Sequence, residues 1–375
     1  METFELVATT FKGLESVLAD EIKAIGGEDV KILKRAVSFQ GNTALMYRAN
    51  ICLRTAIRIL KPIKKFTAQN EKGLYHEIQK IDWTSYMSVN QTLGIDAVTS
   101  SKIFTHSKYV ALKSKDAIVD QFREKFYKRP YVNKITPDLK INIRIYNDQC
   151  TVSLDSSGES LHKRGYRKEG YLAPINEGLA AGLLLMTGWK GDEPFIDPMC
   201  GSGTFLVEAA MIATNTPPQL KRPYFACKKW LSFDEALWNK ELEEAKAKIQ
   251  PLSATIEGFD KSFQAVRIAE RNAMNVDMDQ HIIFKRKPFQ KNNAKFEKGI
   301  LVVNPPYGER IETSEEITDF YTMIGDQLKQ NYKGYEAWII SSNIDALKKV
   351  GLRPSKKIKV FNGALECQFR QYELY

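Results

Sequence analysis

The tetrad Asn304-Pro305-Pro306-Tyr307 follows directly on an apolar run, Ile300-Leu301-Val302-Val303, downstream of a glycine turn, Asp197-Pro-Met-Cys-Gly201-Ser-Gly203-Thr204. An amine attached to an aromatic ring or a carbonyl is a poor nucleophile, because its lone pair is delocalised. The Asn304 side-chain oxygen and the Pro305 carbonyl can each accept one N–H of such an NH2 group, and the Pro305 ring fixes its own φ at about −65°. The lone pair would then point at an electrophile, with Tyr307 offering a face on which a planar ring stacks. The chemistry this suits is alkylation of a planar nitrogen. A strand-ending turn is the competing reading, since Asn-Pro and Pro-Pro are common turn dipeptides. The glycine turn upstream favours the chemical one.

That turn has the features of a ligand loop. Asp197 ends a short predicted strand, Phe195–Asp197. Gly201 and Gly203 let the backbone turn sharply and approach a ligand without a Cβ clash. The helix predicted from Thr204 leaves free N–H groups for a carboxylate. A phosphate loop would need Lys and Ser/Thr after the last glycine, whereas Thr204-Phe205-Leu206 follows here. Asp260 ends the next predicted strand and is a natural acceptor for two ribose hydroxyls. In dinucleotide folds that acid lies about 20 residues beyond the glycines, and here it lies much further. An insertion from about 215 to 251, containing Trp230, Phe233 and Trp238, accounts for the gap. It is expected either to flank the mouth of the site or to pack as a helical bulge on the sheet.

The tetrad resembles motif IV of the amino-directed methyltransferases that use S-adenosylmethionine, a class acting on adenine, cytosine and guanine amines and on glutamine side chains. DPMCGSGTF is similar to their motif I. The resemblance implies direct methyl transfer without a metal or covalent intermediate. It makes Asn304, Pro305, Pro306 and Tyr307 the catalytic group. Asp197, Met199, Cys200, Gly201, Ser202, Gly203, Thr204, Asp260, Lys261, Phe289 and Asn304 become the cofactor-binding candidates. One position departs from the pattern: related enzymes usually place an acid after the third strand, and this chain reads Lys285-Arg286-Lys287-Pro288-Phe289. Adenine recognition is then expected from backbone groups and Phe289.

From Pro194 onward strands and helices alternate, the signature of a doubly wound, mostly parallel α/β sheet. Strands are predicted at 255–260, 281–285, 300–304 and 337–341, helices at 204–213, 264–275 and 317–329, and a closing hairpin at 358–362 and 366–374. The first part reads as compact β-α-β units, with helices over 14–25 and 43–60 and strands at 3–8 and 37–39, which suits a ferredoxin-like α+β module over 1–65. A strand (91–98), a long basic helix (107–126) and a hairpin (140–154, turning at Asn147-Asp148) follow. In that order, and in the strings DLKINIRI and CTVSLDSSG, residues 66–155 resemble the THUMP domain of RNA-modifying enzymes. A junction over 156–180 leads to the catalytic domain, 181–375. A helix is predicted to open at Pro174 and run through Met186.

Composition narrows the partners. The net charge is +10 over 375 residues, an excess that suits a polyanion. It is concentrated between Lys102 and Lys140, where Lys108, Lys113, Lys115, Arg123, Lys128 and Arg129 interleave with Tyr109, Phe126, Tyr127 and Tyr131. A second basic run, His162-Lys163-Arg164 with Arg167 around Tyr166, suits phosphate contact or closure over the cofactor. With Arg310 these are the RNA-binding candidates, a solvated face or charged linker being the plainer reading. The five cysteines form no CxxC pair and the four histidines stand apart, so no disulfide framework or metal site is expected. No signal or membrane-spanning pattern appears, and a cytoplasmic protein is the expectation.

The full string NPPYGER with LHKRGYR is similar to bacterial enzymes that methylate the guanine amine of 23S ribosomal RNA, and to tRNA-modifying relatives. A base inside a duplex cannot reach a cofactor unless it is flipped, so unpaired RNA is the easier substrate. The alternatives are a DNA adenine-N6 methyltransferase, a non-catalytic RNA-binding assembly factor and a glutamine-directed protein methyltransferase.

Overall fold

The computed structural model describes residues 2–167, 175–306 and 314–375. The first 155 residues build one eight-stranded sheet rather than two separate ones. Its strands are β1 (Phe4–Thr10), β2 (Glu28–Leu33), β3 (Ala36–Gly41), β4 (Ala56–Thr67), β5 (Thr92–Ser100), β6 (Tyr131–Val132), β7 (Leu139–Tyr146) and β8 (Gln149–Asp155), in the order β2-β3-β1-β4-β8-β7-β5-β6. The alternation of β1 buries Leu6 and Ala8 against α1 (Glu15–Ala24), whose Leu18, Ala19 and Ile22 face the same core. The helix α2 (Thr43–Cys52) is capped by Asn42, whose side chain accepts from Leu45 N at 3.0 Å. On the second half of the sheet lie α3 (Glu71–Gln79) and α4 (Ser107–Phe126).

The helix expected to run from Thr43 to Leu60 is corrected here. It stops at Cys52, Leu53 is extended at ψ 126°, and the chain continues as β4. β4 pairs with β1 on one side and β8 on the other, so it is the strand that fuses the two halves of the sheet. Isoleucines at 57, 59 and 63 favour that extended backbone, and a register shift between Pro62 and Lys64 accommodates the proline.

The second sheet comprises β9 (Phe195–Asp197), β10 (Ile256–Asp260), β11 (Ile283–Arg286), β12 (Gly299–Val303), β13 (Tyr335–Ser341), β14 (Lys356–Asn362) and β15 (Leu365–Glu373). Their order is β11-β10-β9-β12-β13-β15-β14. The first five run parallel, and β15 is antiparallel to β13 and β14. β9 lies between β10 and β12, so the order reverses there and the carboxyl end of β9 is the crevice where ligands bind in such sheets. The helices α5 (Glu177–Thr187), α6 (Thr204–Ala213), α7 (Glu235–Lys246), α8 (Phe263–Met274), α9 (Ser314–Asn331) and α10 (Ile344–Lys349) complete the domain. Asn176 caps α5, two residues beyond the expected opening at Pro174, which lies outside the described residues.

The insertion between α6 and β10 takes neither of its two expected positions. Its helix α7 packs on α2 of the first module: Arg48 makes a two-point ion pair with Glu241, and the Tyr47 and Trp238 rings lie 5.3 Å apart. Phe225, Cys227, Trp230 and Trp238 join the core of the N-terminal sheet. Further along, Tyr224 donates to the Pro137 carbonyl at 2.8 Å and Lys229 pairs with Asp138. The insertion therefore fixes the second domain to both halves of the first. Truncating the aromatic at its centre, Trp238→Ala, is expected to cost about 3–5 kcal/mol in urea denaturation. A loss below about 1 kcal/mol would mean that the seam contributes little.

Candidate active site

The loop between β9 and α6 is built by backbone bonds from the neighbouring strand. Cys200 N donates to the Phe259 carbonyl at 2.8 Å and Gly203 N to the Cys200 carbonyl at 2.8 Å. Gly201 N donates to Asp260 Oδ2 at 3.0 Å, while Ser262 N occupies Oδ1 at 2.8 Å. Gly201 and Gly203 both have positive φ, 53° and 78°. A Cβ on Gly203 would stand 2.8 Å from the Ala269 Cβ of α8, so this turn needs glycine for close approach as well as for its backbone angle. Asn272, also on α8, donates its side-chain amide to the Ser202 carbonyl at 2.9 Å. Sequence reasoning missed Asn272, although an Asn in line with the small buried residues Ala265 and Ala269 was a readable signal.

The loop thus brings together Asp197, Met199, Cys200, Gly201, Ser202, Gly203, Thr204 and Asp260, with Lys261 exposed at the rim. Asp197 is 2% exposed and accepts from Met199 N at 3.1 Å. Burial pushes its carboxyl up to about 8; the Met199 N–H opposes that shift and the charge of Asp260 adds to it. A folded-state value above the unfolded one, about 3.9, means stability is lost as pH rises through that range, until the folded group ionises. The gap in stability between Asp197→Asn and the wild type should therefore widen from pH 4 to about 8 and level off beyond it. Urea melts across pH check this, and a constant gap would show that Asp197 is not held protonated.

Phe289 does not offer a face to a ligand. It is 3% exposed and packs on Tyr332, ring centroids 5.9 Å apart, within the core beneath α9. Its expected adenine contact is corrected to a packing role.

Asn304 sits one residue beyond the fully buried β12, whose pairing with β9 and β13 sets its position. Among the described residues its Oδ1 is buried without a hydrogen-bond partner. A buried orphan acceptor costs roughly 1–3 kcal/mol, which is offset when a donor arrives. Pro305 is buried and Pro306 half-buried beside it; Tyr307 and Arg310 lie outside the described residues.

The basic candidates separate into two groups. On and after α4, Lys108, Arg123, Lys128 and Arg129 are exposed. Lys113 lies over the Tyr75 ring at 5.1 Å, Lys115 pairs with Asp116 and Arg123 with Asp120. Tyr127 (96% exposed) and Tyr131 (72%) stand among them. The junction residues behave otherwise. Arg164 is fully buried: it pairs with Glu208 of α6 at 3.4 Å and donates to the Leu161 and Arg54 carbonyls. Arg167 is tied to Glu177 and donates to the Ile175 carbonyl. Burial first, then Arg164, Lys163 and Arg167, push His162 down to about 4, leaving it neutral. Only Lys163 is exposed, and it pairs with Glu159. A phosphate-binding role for Arg164, Arg167 and His162 is corrected to one in holding the junction onto α6 and α5. Glu208 was legible in part, as the lone charge of an apolar helix, TFLVEAAMIA.

Among the described residues no group of three His, Cys, Asp or Glu side chains could hold a metal ion, and no helix is long and apolar enough to cross a membrane. A parallel sheet closed by an antiparallel hairpin, with the glycine turn after β9 and acids ending β9 and β10, defines a class I methyltransferase domain. The chain belongs to the family UPF0020, described as an RMKL-like methyltransferase domain, whose model matches residues 164–371. Models for the RlmL ferredoxin-like domain and the THUMP domain match residues 5–60 and 68–155. The chain is 39% identical, over 98% of its length, to the ribosomal RNA large subunit methyltransferase K/L of Syntrophotalea carbinolica, of which it covers 53%. It is 41% identical over 98% of its length to a Synechocystis protein provisionally named an RNA methyltransferase, of which it covers 96%. It thus spans about half of the one relative and nearly all of the other. A crystal structure titled SMU.472, a methyltransferase complexed with SAH, matches with a TM-score of 0.90 and 32% identity, over 100% of this chain and 99% of that one.

Proposed function

We propose that the chain transfers a methyl group from S-adenosylmethionine to the exocyclic N2 amine of a guanine in RNA, with 23S ribosomal RNA the foremost substrate. The observation that carries the reading is Asn304 Oδ1, buried at the carboxyl end of β12 with no partner among the described residues. An acceptor held there, with no described donor, is suited to an amine N–H that arrives with the substrate. The bound product in the SMU.472 structure and the ribosomal RNA named for the K/L relative support the cofactor and the polymer.

Bound S-adenosylmethionine supplies an electrophilic methyl on a sulfonium. The chain's own residues do the rest. The amino end of α6, freed by the Gly203 turn, faces the cofactor's carboxylate, and Asp260, fixed by Gly201 N and Ser262 N, has lone pairs left for ribose hydroxyls. Asn304 and the Pro305 carbonyl accept the two amine hydrogens and aim the lone pair. Tyr307 is assigned by its place in the tetrad to stack the base. The exposed bases and tyrosines on and after α4 grip RNA through phosphates and stacked bases.

The test is incubation of the purified chain with labelled S-adenosylmethionine and, separately, unmodified ribosomal RNA, tRNA and DNA. Label in ribosomal RNA is expected. Label in tRNA alone would move the substrate, and label in DNA alone would overturn the RNA reading. Cofactor binding without label in any of them would indicate a non-catalytic assembly factor.

A further inference from the structure

Between Lys285 and Lys298 six cations stand against one acid, Glu297. Part of this run has a local explanation. Lys285 and Lys295 both pair with Glu257, and Lys285 lies on β11, the edge strand, where a lysine discourages strand pairing with other chains. Arg286, Lys287 and Lys291 are not covered by it. They lie at and beyond the end of β11, on the carboxyl rim of the sheet, and none of the three is ion-paired with a described carboxylate. The backbone holds two of them against the cofactor loop's own anchor, with Lys291 following one short turn later: Arg286 is the register partner of Asp260, Lys287 N donates to the Asp260 carbonyl at 2.9 Å, and Lys291 N donates to the Pro288 carbonyl at 3.0 Å. Arg286 Nε donates to the Lys261 carbonyl at 3.2 Å, which places a further exposed cation beside them.

Such a cluster does not suit the cofactor. S-adenosylmethionine carries a sulfonium and an ammonium against one carboxylate, so added cations on the rim repel it. Its phosphate-free adenosine gives them no anion to bind, and the Asp260 carboxylate disfavours a phosphorylated ribose. The charge calls for an anion that lies across the rim while the base reaches Asn304. We propose that Arg286, Lys287 and Lys291 form a second RNA-binding surface, on the methyltransferase domain itself, that takes backbone phosphates next to the target nucleotide. This rests on the RNA reading above.

The experiment compares the wild type with Arg286→Gln/Lys287→Gln/Lys291→Gln. Binding of a 23S ribosomal RNA transcript is measured across salt concentrations, and S-adenosylmethionine affinity by calorimetry. Each lost single-strand phosphate contact lowers the log–log salt slope by about 0.7, so three remove about 2 and weaken RNA binding on the order of tenfold or more. Cofactor affinity stays within about twofold of the wild type. The charge-preserving Arg286→Lys/Lys287→Arg/Lys291→Arg restores the slope. An unchanged slope in the triple variant, with the wild type methylating RNA, overturns the inference and leaves the function standing. A wild type that neither binds nor methylates any RNA overturns both.

Discussion

Asn304→Ala is expected to lower turnover by about 10³-fold, the cost of removing a preorganised partner from a reacting group, while S-adenosylmethionine affinity changes little. Two facts lead to this division. Asn304 Oδ1 is buried and has no hydrogen-bond partner among the described residues, so no described contact depends on it. The cofactor loop, in turn, is fixed by Cys200 N to Phe259 O, Gly201 N to Asp260 and Asn272 to Ser202, none of which involves Asn304. Removing the side chain therefore deletes the orientation of the amine without loosening the loop. With Asn304 in its proposed role of aiming the lone pair, the effect belongs in kcat more than in KM. Single-turnover assays and calorimetry on the same variant separate the two. A comparable loss of cofactor binding would mean that Asn304 belongs to the cofactor site first.

A loss of stability as large as that at the insertion seam is expected at the junction. Glu208→Ala leaves the Arg164 guanidinium fully buried without its carboxylate, and breaking such a pair from one side costs about 3–5 kcal/mol. Burial pushes the Glu208 carboxyl up, and Arg164 and Arg54 pull it back; Tyr166 OH donates to the same oxygen at 3.2 Å. Replacing both partners by apolar residues of similar size, Arg164→Met with Glu208→Leu, should cost much less, since it removes both desolvation penalties. Urea denaturation of the single and double variants gives the comparison. A single variant within about 1 kcal/mol of the wild type would contradict the account of the junction.

The methyltransferase half was largely legible because parallel strands covered on both faces read as apolar runs. Phe195–Asp197 and Thr204–Ala213 fall where the sequence places them, and the acids ending β9 and β10 mark the crevice. The amino-terminal half was harder. β4 carries a helical spacing of apolar residues up to Leu60, and its identity is decided by pairing with β1 and β8, which no local pattern reveals. The aromatics of the insertion signalled burial but not their partner, Tyr47 on α2. The string His162-Lys163-Arg164 looked like a phosphate grip because a charge run does not disclose a buried acid far along the chain. At the site, the tetrad does not disclose the burial of Asn304 Oδ1, which depends on how β12 is sandwiched between β9 and β13.

Nucleoside mass spectrometry of 23S ribosomal RNA, after reaction with the purified chain and isotopically labelled S-adenosylmethionine, tests the central claim most directly. The account predicts labelled N2-methylguanosine, absent when Asn304→Ala replaces the wild type. Label in N6-methyladenosine, or on a carbon or ribose oxygen, would contradict guanine-amine transfer by this site.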